Sequence, residues 1–245
     1  MKKFALEIAY DGAYYNGWQI QPDAISVQEV LTNAIEKATG ERVKLVGSGR
    51  TDAGVHASGQ VASFSSSTNI DAEKLYKAIN FYLTDEKIKV LKSYEVKKEF
   101  DASRSAKRKT YCYHLYLSDV EHPLKSNYAV NTYKNIDVEK MKECAKMLVG
   151  EHDFKCFNAS KGGAKTTVRE IYSIDFELFD NDVKLYFTGN GFLYNMVRTM
   201  VGTIVDYARG EVSREDVEKM LSTGDRSLCG KIMPAKGLKL VKVEY

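Results

Sequence analysis

The sequence predicts an α+β fold of two related ferredoxin-like (split βαβ) halves that share a mainly antiparallel sheet flanked by helices. Three observations lead there. Apolar residues alternate with polar ones in several short segments, as in half-buried strands, and recur at helical spacing in others. The elements of the first half follow one another as β-α-β-β-α-β, which is the split βαβ order. The second half runs through a similar order, although its sequence shows no evident identity to the first.

Phe4, Leu6, Ile8 and Tyr10 alternate with smaller or charged residues, so the chain opens on a strand that ends at Asp11-Gly12. Ser26 and Glu29 form a capping box for a helix whose apolar stripe is Val27, Val30, Leu31, Ala34 and Ala38, and Gly40 stops it. Residues 42–47 read as a strand, 48–58 as a glycine-rich loop and 59–64 as another strand. Asp71 is placed to cap a second helix through Leu83, and Ile88, Val90, Tyr94 and Val96 restore strand alternation. Beyond a joint near residues 101–109 come a strand at 109–117 and a helix at 138–149, capped by Asp137 and closed by Gly150. Strands at 168–179 and 183–189, helices near 192–208 and 214–222, and a strand at 238–244 complete the reading. The halves are thus 1–105, with the glycine-rich loop, and 106–245.

At 245 residues the chain can bury a full core without staples, and 44% hydrophobic with 28% charged residues fits a compact enzyme or binding protein rather than a disordered chain. Glu7 and Asp11 interrupt the opening apolar run too early for a signal peptide, and no stretch nears the ~18 apolar residues that span a bilayer. The expected location is cytoplasmic. Cys112, Cys144, Cys156 and Cys229 lack metal-ligand or disulfide-framework spacing, so buried thiols are expected and no cysteine-held metal. The net charge of +3 is uninformative, but its distribution is not. Lys97, Lys98, Arg104, Lys107, Arg108 and Lys109 face only Glu99 and Asp101 nearby, and four basic residues with no acid lie between Lys155 and Arg169. Such tracts suit a phosphate-rich partner, or simply solvated loops.

The most informative segment runs from Gly47 to Gln60, where glycines at 47, 49, 54 and 59 surround Arg50 and Asp52. It matches neither phosphate-cradling glycine pattern. As a whole, Gly49-Arg50-Thr51-Asp52-Ala53-Gly54-Val55-His56-Ala57 resembles the signature of the TruA family of tRNA pseudouridine synthases. Further matches follow in order: Tyr10-Asp11-Gly12, Asn16-Gly17-Trp18-Gln19, Phe100-Asp101-Ala102, Lys109-Thr110-Tyr111-Cys112-Tyr113, Gly150-Glu151-His152-Asp153-Phe154, Gly191 through Arg198, and Gly237-Leu238. The resemblance implies isomerisation of uridine to pseudouridine at positions 38–40 of the anticodon stem-loop of tRNA, by a homodimer without cofactor or metal. Lys239 stands where many relatives have Tyr, a departure that bears on the details of the pocket and not on the class.

The chemistry breaks C1′–N1, makes C1′–C5 and removes the C5 proton. By analogy with a glycosidase, Asp52 acts at the anomeric centre as nucleophile or as base at C2′, and sequence does not choose between them. Without the flanking motif it would read as an ordinary turn residue. The resemblance makes Arg198 its charge partner, on a predicted helix whose residues 195, 198, 199, 202 and 206 form a small or polar face opposite Val197, Val201, Ile204, Val205 and Ala208. The resemblance likewise moves Tyr111 into the site, where its ring stacks on uracil and its hydroxyl shuttles the C5 proton, although strand alternation alone reads as core packing. Leu238 becomes a pocket wall by the same route. Arg50 is a candidate to fill the space a flipped base vacates or to hold a phosphate, His56 reads as structural or as an RNA contact, and Lys107, Arg108 and Lys109 as binding the RNA backbone. Two other classes remain open on the residues alone: a non-catalytic RNA-binding protein on the same sheet, and a hydrolase using Asp52 and His56.

Overall fold

The structure, a computed structural model, describes residues 1–159 and 165–245. It is a mixed α/β fold that divides into two compact units, residues 1–107 with 239–245, and residues 108–238.

The first unit contains β1 (Lys2–Tyr10), α1 (Val27–Thr39), β2 (Val46–Gly47), β3 (His56–Ser66), α2 (Leu75–Phe81) and β4 (Ile88–Val96). Its strands lie in the order β4-β1-β3-β2, each pair antiparallel. This is the expected split βαβ arrangement. Because β1 is central, Ala5 is buried along with the alternating Phe4, Leu6, Ile8 and Tyr10. In β4 the alternation shifts phase at a bulge opposite Glu7 and Ile8, so Ile88, Val90 and then Ser93 are the buried residues.

Ser26 caps α1 by accepting from the Glu29 N–H at 3.3 Å, and Gly40 ends it in the left-handed region at φ 73°. The buried stripe is Val27, Leu31, Ala34 and Ile35; Val30 and Ala38 sit on its margin, half-buried. Two expected elements are shorter than predicted. Only Val46 and Gly47 of 42–47 pair with β3, and Asp71 caps a turn before α2 by accepting from the Glu73 N–H rather than the helix itself. A strand needs a partner as well as a pattern, and residues 42–45 have none.

The second unit contains β5 (Arg108–Leu117), β6 (Val130–Thr132), α3 (Val138–Met147), β7 (Gly150–Asp153), β8 (Val168–Phe179), β9 (Asp182–Gly189), α4 (Met196–Ala208) and α5 (Arg214–Thr223). Strand order is β5-β9-β8-β7, antiparallel throughout, with β6 parallel to β5. Thus β5, β8 and β9 repeat the 1-3-2 part of the split βαβ order. Asp180, at φ 51°, and Asn181 make the two-residue turn between β8 and β9. Asp137 caps α3 as predicted, but the helix ends at Met147 with Leu148 as its C-cap, and Gly150, at φ 112°, opens β7 instead of closing α3. Likewise α4 starts at Met196 and not near 192, because Asn195 is left-handed (φ 59°) and cannot continue a helix.

The last strand, β10 (Leu238–Glu244), runs parallel to β3, with Lys239 opposite His56 and Leu240 opposite Ala57. A side chain at Gly59 would collide with the Val241 carbonyl, so this position admits only glycine while the last strand is in place. All four cysteines are free thiols, three of them buried and Cys229 partly so. No helix among the described residues is long and apolar enough to cross a membrane.

Candidate active-site loop and its surroundings

Arg50, Asp52 and His56 belong to the first unit, the first two on the loop that enters β3 and His56 at the start of that strand. Asp52 opens a tight turn: the Val55 N–H donates to its carbonyl at 3.1 Å, and Gly54 takes φ 78°, which a side chain would strain. The segment 16–18 lies across this turn. Gly17, at φ 83°, leaves no room for a Cβ, which would fall 2.6 Å from the Thr51 carbonyl oxygen, and the Trp18 N–H donates to that same oxygen at 3.0 Å. The Trp18 ring fills the space beside Gly47, where a Cβ would come within 2.6 Å of the indole nitrogen.

Polar side chains hold the loop from beneath. The Tyr10 hydroxyl shares a hydrogen bond with Thr51 Oγ1 at 2.8 Å, and Gln60 Nε2 donates to the Gly49 carbonyl at 2.9 Å. Ser48 Oγ donates to Gln60 Oε1 at 2.5 Å. Burial pushes the Tyr10 phenol up to about 12, against the opposing effect of its hydrogen bonds to Thr51 and Gln60, so it is a neutral hydroxyl at physiological pH. Asp52 is half-buried and Arg50 exposed.

His56 is buried, with Nδ1 at 3.1 Å from both the Gly12 nitrogen and Asp11 Oδ1. An unprotonated Nδ1 accepts from Gly12, a protonated one donates to Asp11, and one atom cannot do both. Either way the ring ties the loop to the turn after β1. Tyr10, Gly17, Trp18 and Gln60 carry no signal in the sequence that they hold the loop. Tyr10, Gly17 and Trp18 lie within family matches, but the groups they meet are tens of residues away along the chain.

Tyr111, Arg198, Leu238, Arg108 and Lys109 belong to the second unit, and Lys107 ends the first segment of the first unit. Tyr111 is buried on β5, its ring edge-on to Phe192 with centroids 5.2 Å apart. Two residues along, the Tyr113 hydroxyl donates to the Pro234 carbonyl at 2.7 Å, and burial raises its pKa well above the ordinary tyrosine value. Leu238 is buried.

Arg198 is not a surface arginine. Its Nε donates to the Met233 carbonyl at 2.6 Å and Nη1 to Asn195 Oδ1 at 2.7 Å, which fixes the guanidinium plane. The small or polar face of α4 is covered by the segment 230–233: the Gly230 N–H donates to Thr203 Oγ1 at 3.0 Å and the Met233 N–H to the Arg198 carbonyl at 3.3 Å. Gly202 and Gly230 let the two backbones cross, since a Cβ on Gly202 would collide with the Lys231 carbonyl. The helix is therefore buried on nearly all sides rather than on one apolar face, with Arg198 and Asp206 its two half-exposed residues.

The basic tracts are largely at the surface. Lys97, Lys98, Arg104, Lys107 and Arg108 are exposed, and the Arg108 guanidinium lies 4.9 Å from the Tyr172 ring centroid. Lys109 is partly covered, and burial, then the charge of Arg169, hold its pKa below the usual lysine value. Lys155 and Lys165 are exposed and Arg169 half-buried, whereas Lys161 lies outside the described residues. Among the described residues no group of three or more His, Cys, Asp or Glu side chains is placed to hold a metal ion.

A family model described as tRNA pseudouridine synthase matches residues 7–103 and 144–245. The tRNA pseudouridine synthase A of Thermoanaerobacter sp. (strain X514) is 41% identical over 245 residues, covering 100% of both chains. The tRNA pseudouridine synthase A 2 of Clostridium perfringens (strain 13 / Type A) is also 41% identical over 245 residues, and the tRNA pseudouridine synthase A of Ruminiclostridium cellulolyticum is 42% identical over 246, each again over 100% of both chains.

Proposed function

Because this chain belongs to the TruA-type family of tRNA pseudouridine synthases, we propose that it isomerises uridine at positions 38–40 of the anticodon stem-loop, with Asp52 as the catalytic carboxylate. Family membership makes it an enzyme that forms pseudouridine in tRNA. The choice of stem-loop and carboxylate is our reading, and one observation carries Asp52: it opens a turn whose neighbouring positions are held by buried groups, on the loop that bears the signature.

Asp52 acts at the ribose, as nucleophile at C1′ or as base at C2′, while the detached uracil stays bound and turns over. Tyr111 stacks on the uracil and passes on the C5 proton, and Arg198 offsets the carboxylate charge; both roles rest on the family resemblance. Pinning by Met233 and Asn195 suits Arg198 to this, because a guanidinium already oriented loses little side-chain freedom when it binds an anion. Arg50, exposed beside Asp52, fills the gap left by the flipped base or holds its phosphate. Leu238 walls the uracil pocket, and His56 serves by holding the loop. We further propose a cytoplasmic homodimer that needs no cofactor, on the same resemblance.

The test is tritium release from tRNA labelled at C5 of uridine, with purified protein, no added cofactor, and chelator present. Release at full rate is expected. Tight tRNA binding without release would overturn the reading in favour of a non-catalytic RNA-binding protein.

Lys107, Arg108 and Lys109 are proposed to bind the tRNA backbone. Replacing all three by Gln is expected to weaken tRNA binding and flatten the plot of log K against log salt, by roughly 0.7–0.9 for each phosphate no longer neutralised. An unchanged slope would show that these residues do not face phosphates.

A further inference from the structure

We infer that Tyr10 and Thr51, braced by Gln60, are positioning residues for the catalytic carboxylate, a role that rests on the reading of Asp52 above. Tyr10, Thr51 and Gln60 are 5%, 6% and 0% exposed, so three polar side chains meet beneath one loop of the first unit. Burying polar groups costs stability unless each finds a partner, and an apolar core would fill the same volume without that demand. Here the partners are the loop itself. Tyr10 holds the Thr51 hydroxyl, Gln60 holds the Gly49 carbonyl and the Ser48 hydroxyl, and Trp18 holds the Thr51 carbonyl from the other side.

Positions 48, 49 and 51 are thereby fixed through directional bonds. Arg50, which alternates with them, is exposed, and Asp52, next in line, is half-buried at the start of the turn. The hydroxyl pair sits one residue from the carboxylate and holds the Thr51 side chain, while the Trp18 N–H holds the Thr51 carbonyl, so a shift of Thr51 is passed directly to Asp52. Neither Tyr10 nor Thr51 needs to touch the substrate for this. Misplacing a reacting group by about 1 Å costs on the order of 100-fold in rate.

Tyr10→Phe removes one oxygen and keeps the ring that packs 6.3 Å, centroid to centroid, from Trp18. Thr51→Val removes the partner hydroxyl, and Thr51→Ser retains it. The experiment measures single-turnover pseudouridine formation, tRNA Kd and the thermal midpoint for these three variants beside Asp52→Asn. Tyr10→Phe and Thr51→Val are expected to lower the single-turnover rate about 10- to 100-fold at a Kd within about twofold of the parent, with Thr51→Ser within about threefold of the parent rate. Parent rates in both Tyr10→Phe and Thr51→Val would overturn the inference. So would a rate loss matched by equal losses of binding and folded fraction, the signature of a structural role alone. Asp52→Asn separates the two readings: if it stays active, the carboxylate assignment fails and the positioning role with it. If it is inactive while Tyr10→Phe and Thr51→Val run at the parent rate, only the positioning role fails.

Discussion

Asp52→Asn is expected to lower pseudouridine formation on tRNA by roughly 10⁴-fold or more, the scale on which single catalytic groups are lost. Asparagine has nearly the same shape but neither the charge nor the basicity, so it can neither attack C1′ nor remove the C2′ proton. The fold should survive the change. The turn at Asp52 is closed through its backbone carbonyl, and the loop is held at Ser48, Gly49 and Thr51 by groups the substitution leaves alone. Affinity for tRNA should stay within a few-fold of the parent, because phosphate interactions dominate such binding. The measurement is C5 tritium release beside a tRNA titration, on protein whose melting curve matches the parent. Turnover near the parent rate would mean that another carboxylate starts the reaction. Loss of binding as well as turnover would mean that the loop had collapsed.

Gly202→Ala is expected to destabilise the protein by about 1–3 kcal/mol, although the same change in an open helix would stabilise it by about 1 kcal/mol. The sign is decided by what lies over Gly202. A methyl group there meets the Lys231 carbonyl, which is backbone and cannot swing aside as a flexible side chain would, and beyond it lies Gly230, itself without room for a side chain. The crossing segment must lift, and with it go the bonds from Gly230 to Thr203 and between Met233 and Arg198. At roughly 2–4 °C per kcal/mol for a chain of this size, the thermal midpoint should fall by several degrees. A midpoint equal to or above the parent's would show that the crossing is looser than its geometry indicates. On the role proposed for Arg198, whose Nε donates to Met233, the variant is also expected to lose pseudouridine formation beyond its loss of folded protein.

The long elements are legible because each carries its own period. β1, β4, β5, β8, β9 and β10 alternate in sequence, and α1, α3 and α5 show both a stripe and a capping residue, Ser26, Asp137 and Ser213 in turn. The strands that the sequence hides, β6 and β7, are three and four residues long. No period can be read over so few positions; they are strands because β5 and β8 offer an edge. The ends of α3 and α4 differ from expectation for a related reason, since Gly150 and Asn195 have positive φ that composition only hints at.

The class of chemistry is legible by a different route. A glycine-rich loop with one aspartate would mean little, and it is the order of residues from Gly49 to Ala57 that identifies the family. The structure shows why such a run is specific. Within it Thr51 is held by Tyr10 and Trp18, Gly54 makes a left-handed turn and His56 grips the turn after β1, so several neighbours of Asp52 are constrained by the fold.

By itself, then, the sequence determined where most of the long helices and strands lie, the split βαβ order of the first unit and the reaction class. These depend on side-chain period and on a contiguous signature, both written locally. Only the tertiary structure decided that Tyr10 and Gln60 lie beneath the loop, that Gly17 sits over Thr51, that residues 230–233 cross α4 at Gly202, and that the last strand runs beside β3. Such interactions join residues far apart in the chain, and they depend on hydrogen-bond direction and on how closely two backbones approach. Strand register and the path of the chain set both quantities, and no local pattern of residues encodes either.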